Sequence, residues 1–81
     1  MKVHVQFYSR LRDLAGVETV DLDAAEGTRV SDLLERLYQK LPSLRPHDKN
    51  ILVGAGLEFV NRDYKVRAGD EISIMPPVQG G

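Results

Sequence analysis

Between Val30 and Leu41 the residues Val30, Leu33, Leu34, Leu37, Tyr38 and Leu41 recur at i, i+3, i+4, i+7, i+8 and i+11. This spacing lays them along one stripe of an α-helix. A helix with one apolar stripe must bury it, and the economical cover is one face of a sheet. Thr28 stands where a hydroxyl caps the first turn, and Asp32 sits at the end that favours a negative charge. Lys40 lies at the opposite end, where a cation is favoured. Pro42 and Pro46 stop the helix and bracket a loop.

The flanking segments have a different period. In "KVHVQFYS" Val3, Val5 and Phe7 alternate with His4, Gln6 and Tyr8, the pattern of a half-buried strand. "RLRDLAG" reads as a connecting loop whose Leu11 and Leu14 turn back onto the core. "VETVDLD" is a second strand with Val20 and Leu22 inward, and the short connection predicts an antiparallel pair. After the helix, "NILVGAG" and "LEFV" read as short strands, "NRDYKV" as polar and irregular, and "RAGD" as a turn with Gly69 at the position needing positive φ. "EISIM" alternates again, with Ile72 and Ile74 on one face and Ser73 and Met75 on the other. The order β-β-α-β-(β)-β predicts an α+β domain, the ubiquitin-like β-grasp. A mixed four- to five-stranded sheet grips one main helix, with the last strand central. Residues 1–77 form this domain and residues 78–81 an extended, flexible Gly-Gly tail.

Composition narrows the function. The 81 residues suit one domain, and the net charge of −1 gives no basic surface for a nucleic-acid backbone. With no cysteine, a disulfide framework, a thiolate metal site and a cysteine nucleophile are excluded for this chain. No apolar run approaches the ~20 residues of a membrane span, and "MKVHVQFYSR" is not a signal sequence. The expectation is a soluble, cytoplasmic protein that binds neither nucleic acid nor membrane.

Catalytic constellations do not emerge from the pattern. His4 points outward from a strand and His47 lies among prolines, without metal-ligand spacing. The carboxylates of "DLD", "SDLLE" and "RAGDE" are scattered rather than paired for acid–base work. Ser9, Ser31, Ser43 and Ser73 lack a nucleophile-elbow context. "VGAGLE" is not followed by the lysine and helix of a phosphate loop, so its glycines read as a strand-end turn. No metal and no permanently bound cofactor is expected.

The segment "PPVQGG" is different. Pro76 and Pro77 cannot extend a sheet ladder, and they fix the exit direction of the chain. Beyond them Val78, Gln79, Gly80 and Gly81 reach at most ~14 Å, at about 3.3–3.6 Å per residue. Gly80 and Gly81 carry no Cβ, so they pass through a channel that rejects side chains and leave a terminal carboxylate unshielded. Fraying accounts for flexibility, but not for stiff residues, a short spacer and two glycines in that order.

The pieces "VHVQFYSRLRDLAG", "VSDLLERL", "AGDEISIMPP" and "PPVQGG" together resemble the ubiquitin-like sulfur carriers, and among them the small subunits of molybdopterin synthase. The resemblance spans essentially the whole chain and departs at "VGAGLE", where many members have a Val-Asn pair. It implies that an ATP-dependent E1-like activating enzyme adenylates the carboxylate of Gly81. A sulfurtransferase or desulfurase then supplies sulfur to give a thiocarboxylate. The large molybdopterin synthase subunit receives the tail and passes the sulfur to a cyclic pyranopterin phosphate. Catalytic groups are then expected on the partners, with sulfur carried covalently on Gly81. Alternation places Tyr8 and Met75, with Phe59, on an exposed docking face. Arg10 and Arg12 of "RLRD" are either contacts to a partner or solvated cations. Two other readings stay open. One is a carrier for thiamine thiazole or another pathway, disfavoured by Pro-Pro and length. The other is a ubiquitin-like modifier conjugated through Gly81.

Overall fold

Val3, Val5 and Phe7 are buried while Lys2, His4 and Gln6 are exposed, so the alternation of "KVHVQF" becomes β1, Lys2–Phe7. The computed structural model describes residues 1–77. β2, Thr19–Asp23, pairs antiparallel with β1 and puts Val3 opposite Leu22 and Val5 opposite Val20. β3 (Leu52–Ala55) and β4 (Glu58–Val60) form a hairpin, and β5 is Glu71–Met75. β5 lies parallel to β1 and antiparallel to β3 in a five-stranded mixed sheet of order β2-β1-β5-β3-β4. The last strand is therefore central, as expected.

The helix predicted from the apolar stripe is α2, Val30–Lys40, and Val30, Leu33, Leu34, Leu37 and Tyr38 are all buried. They share one core with Val3, Val5, Phe7, Val53, Ile72 and Ile74 from the sheet. This arrangement is the ubiquitin-like β-grasp. Gly69 turns the chain into β5 at φ 87, a region that a Cβ disfavours. Gly56, at φ 63, is the first of two loop residues between Ala55 and Glu58, the pattern of a type II′ hairpin. Leu57 of "LEFV" belongs to that turn rather than to β4.

Three local expectations are corrected. "RLRDLAG" is not a loop: Ser9–Ala15 forms a second helix, α1, which buries Leu11 and packs Leu14 partly against the core. The chain enters it through Ser9 at φ 53 and leaves at Gly16, whose N–H returns to Arg12 O at 3.0 Å. Pro42 and Pro46 do not bracket a loop either, since Pro42–Asn50 winds as a 3₁₀ segment around the buried Leu44. Proline suits its first turn, where an N–H has no partner to lose.

Thr28 does not cap α2, because its hydroxyl donates to Ala25 O at 2.6 Å. The orphan donors at that end go to the "NRDYKV" stretch: Val30 N–H to Tyr64 O at 2.9 Å and Ser31 N–H to Arg62 O at 3.0 Å. Val66 N–H donates to Thr28 O and Gly27 N–H to Val66 O, both at 2.8 Å, and Val66 is fully buried. A stretch that reads as polar and irregular thus closes the mouth of the helix.

Candidate functional site

β5 delivers the chain to Met75, Pro76 and Pro77, all half-buried. The prolines form one wall of a notch of about 630 Å³ at the end of the central strand. Ser9, Arg10 and Leu11 of α1 form the second wall, and His47 and Asn50 of the 3₁₀ segment the third. Tyr8 N–H donates to Ile74 O at 3.0 Å, which ties the entry of α1 to the last turn of the ladder before the prolines. Val78, Gln79, Gly80 and Gly81 lie outside the described residues, so the tail chemistry assigned to them falls there too.

The outward face of the sheet carries the three residues singled out for docking. Tyr8 is 39% exposed and Phe59 68%, while Met75 is half-buried. They line a single shallow depression of about 260 Å³. The register explains why they meet: Leu52 stands opposite Met75, and Gly54 opposite both Ser73 and Phe59. The floor is Gly54. A Cβ built there would lie 3.2 Å from Met75 Cε, 3.5 Å from Glu58 O and 3.6 Å from Ser73 Cβ, so the missing side chain keeps the depression open.

Sequence reasoning missed Gly54 and the neighbouring Leu57. Leu57 is fully exposed at the hairpin tip, with a relative accessibility of 104%. A glycine inside a strand whose backbone does not require one was the signal available.

One polar network holds the notch in place. Asp48 Oδ1 accepts from Tyr38 OH at 2.5 Å and from Arg62 Nη1 at 2.9 Å. Arg62 Nη2 also donates to Asp48 O at 2.7 Å and Ile51 O at 3.3 Å. The Tyr38 hydrogen bond, seconded by the Arg62 guanidinium, holds the Asp48 carboxyl below its ordinary range. Burial, with the Asp48 carboxylate beside it, pushes the Tyr38 phenol upward. The guanidinium of Arg45 pairs with Glu35 at 3.0 Å and lies 5.3 Å from the centre of the Tyr38 ring. The 3₁₀ segment is thereby pinned to α2 and to the stretch before β5, and Ser43 Oγ donates to Leu14 O of α1 at 2.7 Å.

His4 is on the outward face, its Nδ1 2.8 Å from Asp21 Oδ1, and its side chain is half in solvent. Among the described residues no three His, Cys, Asp or Glu side chains gather as metal ligands, and no helix is long and apolar enough to cross a membrane. Among the described residues the ionisable side chains that line the notch are Arg10 and His47. The geometry sets a half-buried proline exit beside an open depression on the outward face of the sheet.

The profile of the ThiS family matches residues 5–81. The chain belongs to the ThiS family. Among similar relatives, the "Molybdopterin synthase sulfur carrier subunit" of Chlamydomonas reinhardtii is 29% identical and covered end to end by this chain, 100% of both. The protein of that name from Drosophila yakuba is 32% identical over 100% of this chain and 92% of its own. Among solved structures, SAMP1, a small archaeal modifier protein from Haloferax volcanii, superposes with a TM-score of 0.87 at 28% identity, covering 100% of each chain. In this ThiS-family chain Met75, the last residue of the central strand, lines the depression around Gly54, and Pro76, the next residue, lines the notch.

Proposed function

We propose that this ThiS-family protein is a sulfur carrier of molybdenum cofactor biosynthesis, acting as the small subunit of a molybdopterin synthase. The observation that carries the reading is the rooted exit. A central strand ends in two half-buried prolines beside an open apolar depression, and its full-length relatives carry the sulfur-carrier name.

In this reading residues 1–77 are the rigid body and 78–81 the reactive arm. A carboxylate oxygen of Gly81 attacks the α-phosphorus of ATP on an E1-like activating enzyme and releases pyrophosphate. A persulfide sulfur from a sulfurtransferase or desulfurase then displaces AMP from the acyl carbon. Reductive cleavage of the sulfur–sulfur bond by a thiol leaves the thiocarboxylate. The activation is needed because a bare carboxylate has no good leaving group. The large subunit receives the arm, with Tyr8, Phe59 and Met75 at the contact, and its own groups guide sulfur to a cyclic pyranopterin phosphate. Water returns Gly81 to the carboxylate.

The test is intact-mass analysis after incubation with the cognate activating enzyme, ATP and a sulfur source. The full chain should exchange one oxygen for sulfur, and a chain lacking Gly81 should fold and remain unchanged. Thiocarboxylation of the truncated chain would refute the assignment. A second reading is favoured by the likeness to SAMP1. There a lysine amine displaces AMP from the adenylated Gly81 carbonyl, giving an amide-linked modifier, and the same mass analysis of cell extracts should reveal Gly81-linked conjugates.

A further inference from the structure

The notch at the root of the tail has a chemistry of its own. Both ionisable side chains that line it, Arg10 and His47, are basic, although the chain as a whole carries a net charge of −1. Asn50 and Ser9 add further donors, and Leu11 with the two prolines adds apolar lining to the walls. Among the described residues no carboxylate lines the notch. Asp48 is held by Tyr38 and Arg62, and Asp13 lines a separate surface dip with Arg12, Gly16 and Glu18. Arg10 is exposed and makes no ion pair or side-chain hydrogen bond among the described residues. Ser9 beside it holds a left-handed φ of 53, which costs a non-glycine residue on the order of 1 kcal/mol.

Reach decides what meets this notch. Four residues beyond Pro77 span at most ~14 Å, so a protein that takes Gly81 into its interior brings the rim of its channel up to Arg10, His47 and Asn50. A rim that presents a cation would be repelled there, and an apolar rim would leave the donors unpaired. A carboxylate fits, because the planar guanidinium of Arg10 matches it with two parallel hydrogen bonds.

We infer that the Arg10–His47–Asn50 notch is a carboxylate-recognition site for an acidic segment at the rim of the partner channel that receives the tail. The inference rests on the sulfur-carrier reading for the identity of the partner, but not for the chemistry of the notch.

Two measurements separate those dependencies. In the first, the full chain is titrated with an acetylated, amidated pentapeptide of alternating Glu and Asp, followed by nitrogen–proton NMR. Shifts confined to Arg10, His47 and Asn50, abolished in Arg10→Glu and kept in Arg36→Glu, are expected. Arg36 is an exposed arginine of α2, so its replacement changes net charge equally. In the second, affinity for the large synthase subunit should fall about tenfold or more in Arg10→Glu. It should be partly kept in Arg10→Lys and change less than about twofold in Arg36→Glu. Rising salt should erase the difference.

Peptide shifts spread over the surface, or equal in the two glutamate variants, overturn the inference. So does tighter peptide binding after removal of residues 78–81, which would make the chain's own carboxylate the occupant. Failure of the wild-type chain to bind the large subunit defeats the functional reading instead, and the peptide titration still decides the notch.

Discussion

Asp48→Ala removes the acceptor that ties the 3₁₀ segment to α2. Tyr38 is a core residue, 2% exposed, and its hydroxyl has Asp48 Oδ1 as its partner. Taking away that acceptor leaves a partly buried hydroxyl to find water, a cost of about 1–3 kcal/mol. The Arg62 pair is partly solvated, at 37% and 43% side-chain exposure, so it contributes at most ~1 kcal/mol. Arg62 also keeps its bonds to the Asp48 and Ile51 carbonyls. The sum is about 1–4 kcal/mol, or roughly 4–30 °C in Tm for a domain of this size.

Tyr38→Phe should cost less, about 1 kcal/mol, because it removes the donor and leaves Asp48 with Arg62. The double mutant should be less destabilised than the sum of the two single changes. Urea and thermal unfolding of the four proteins measure this. The pH dependence has a fixed sign. The folded Asp48 carboxyl titrates below its unfolded value of about 3.9, so its stabilisation is fully present above that value and is lost as pH falls through the folded one. The gap between wild type and Asp48→Ala should therefore be constant from neutral pH to about 5 and close in more acidic solution. A Tm shift of less than about 3 °C at neutral pH, or a gap that widens on acidification, would refute the network as a clamp.

Gly54→Val should leave the fold intact and Tm unchanged or slightly raised, since the residue meets only the flexible end of Met75 closely and valine favours strands. It should nevertheless weaken binding to the large subunit about tenfold by filling the depression, and unchanged affinity in a binding titration would remove the depression from the interface. Met75→Lys should keep its far-UV spectrum and lose binding by ≥ ~2 kcal/mol, because a charge in the interface centre is left unpaired. An unfolded protein would instead place Met75 in the core. Gly80→Val should retain thermal stability and block sulfur transfer, checked by conversion of the pterin substrate; wild-type conversion would end the narrow-channel argument.

The parts of this fold that are legible in the sequence are those in which a local period reports a buried face. Val3, Val5 and Phe7, the α2 stripe, and Ile72 with Ile74 are such cases, and all are buried. Gly69 was legible for another local reason, the positive φ its turn needs. What stayed hidden depends on distant partners. α1 is a seven-residue helix with one buried residue, Leu11, too short to show a period. The 3₁₀ segment is broken up by prolines, and its fixed shape comes from Leu44 in the core and from Tyr38 and Arg62 around Asp48. Thr28 looked like a cap because hydroxyls cap helices, but carbonyls of residues 62 and 64 had already taken the donors. Tyr8, Phe59 and Met75 could be placed on an outward face by alternation. Their convergence over Gly54 required the strand order, which no short-range pattern encodes.

Strand order also explains why a carrier arm would leave from this place. β5 is bonded on one side to β1 and on the other to β3, so Ile74, paired with Phe7 and Val53, cannot move without disturbing two ladders, and Met75 follows it opposite Leu52. An arm leaving an edge strand would swing with a fraying element, since only one ladder would hold its root. Rooted in the centre, such an arm would begin from a point fixed relative to the depression over Gly54 and to the Arg10 notch. With at most ~14 Å of chain from Pro77 to Gly81, small errors at the root would translate directly into errors at Gly81. A partner that grips both surfaces therefore sets the position of the terminal carbon without having to recognise the arm itself. On the sulfur-carrier proposal two glycines would be enough at the reacting end, because the rigid domain, rather than the tail, would supply the specificity.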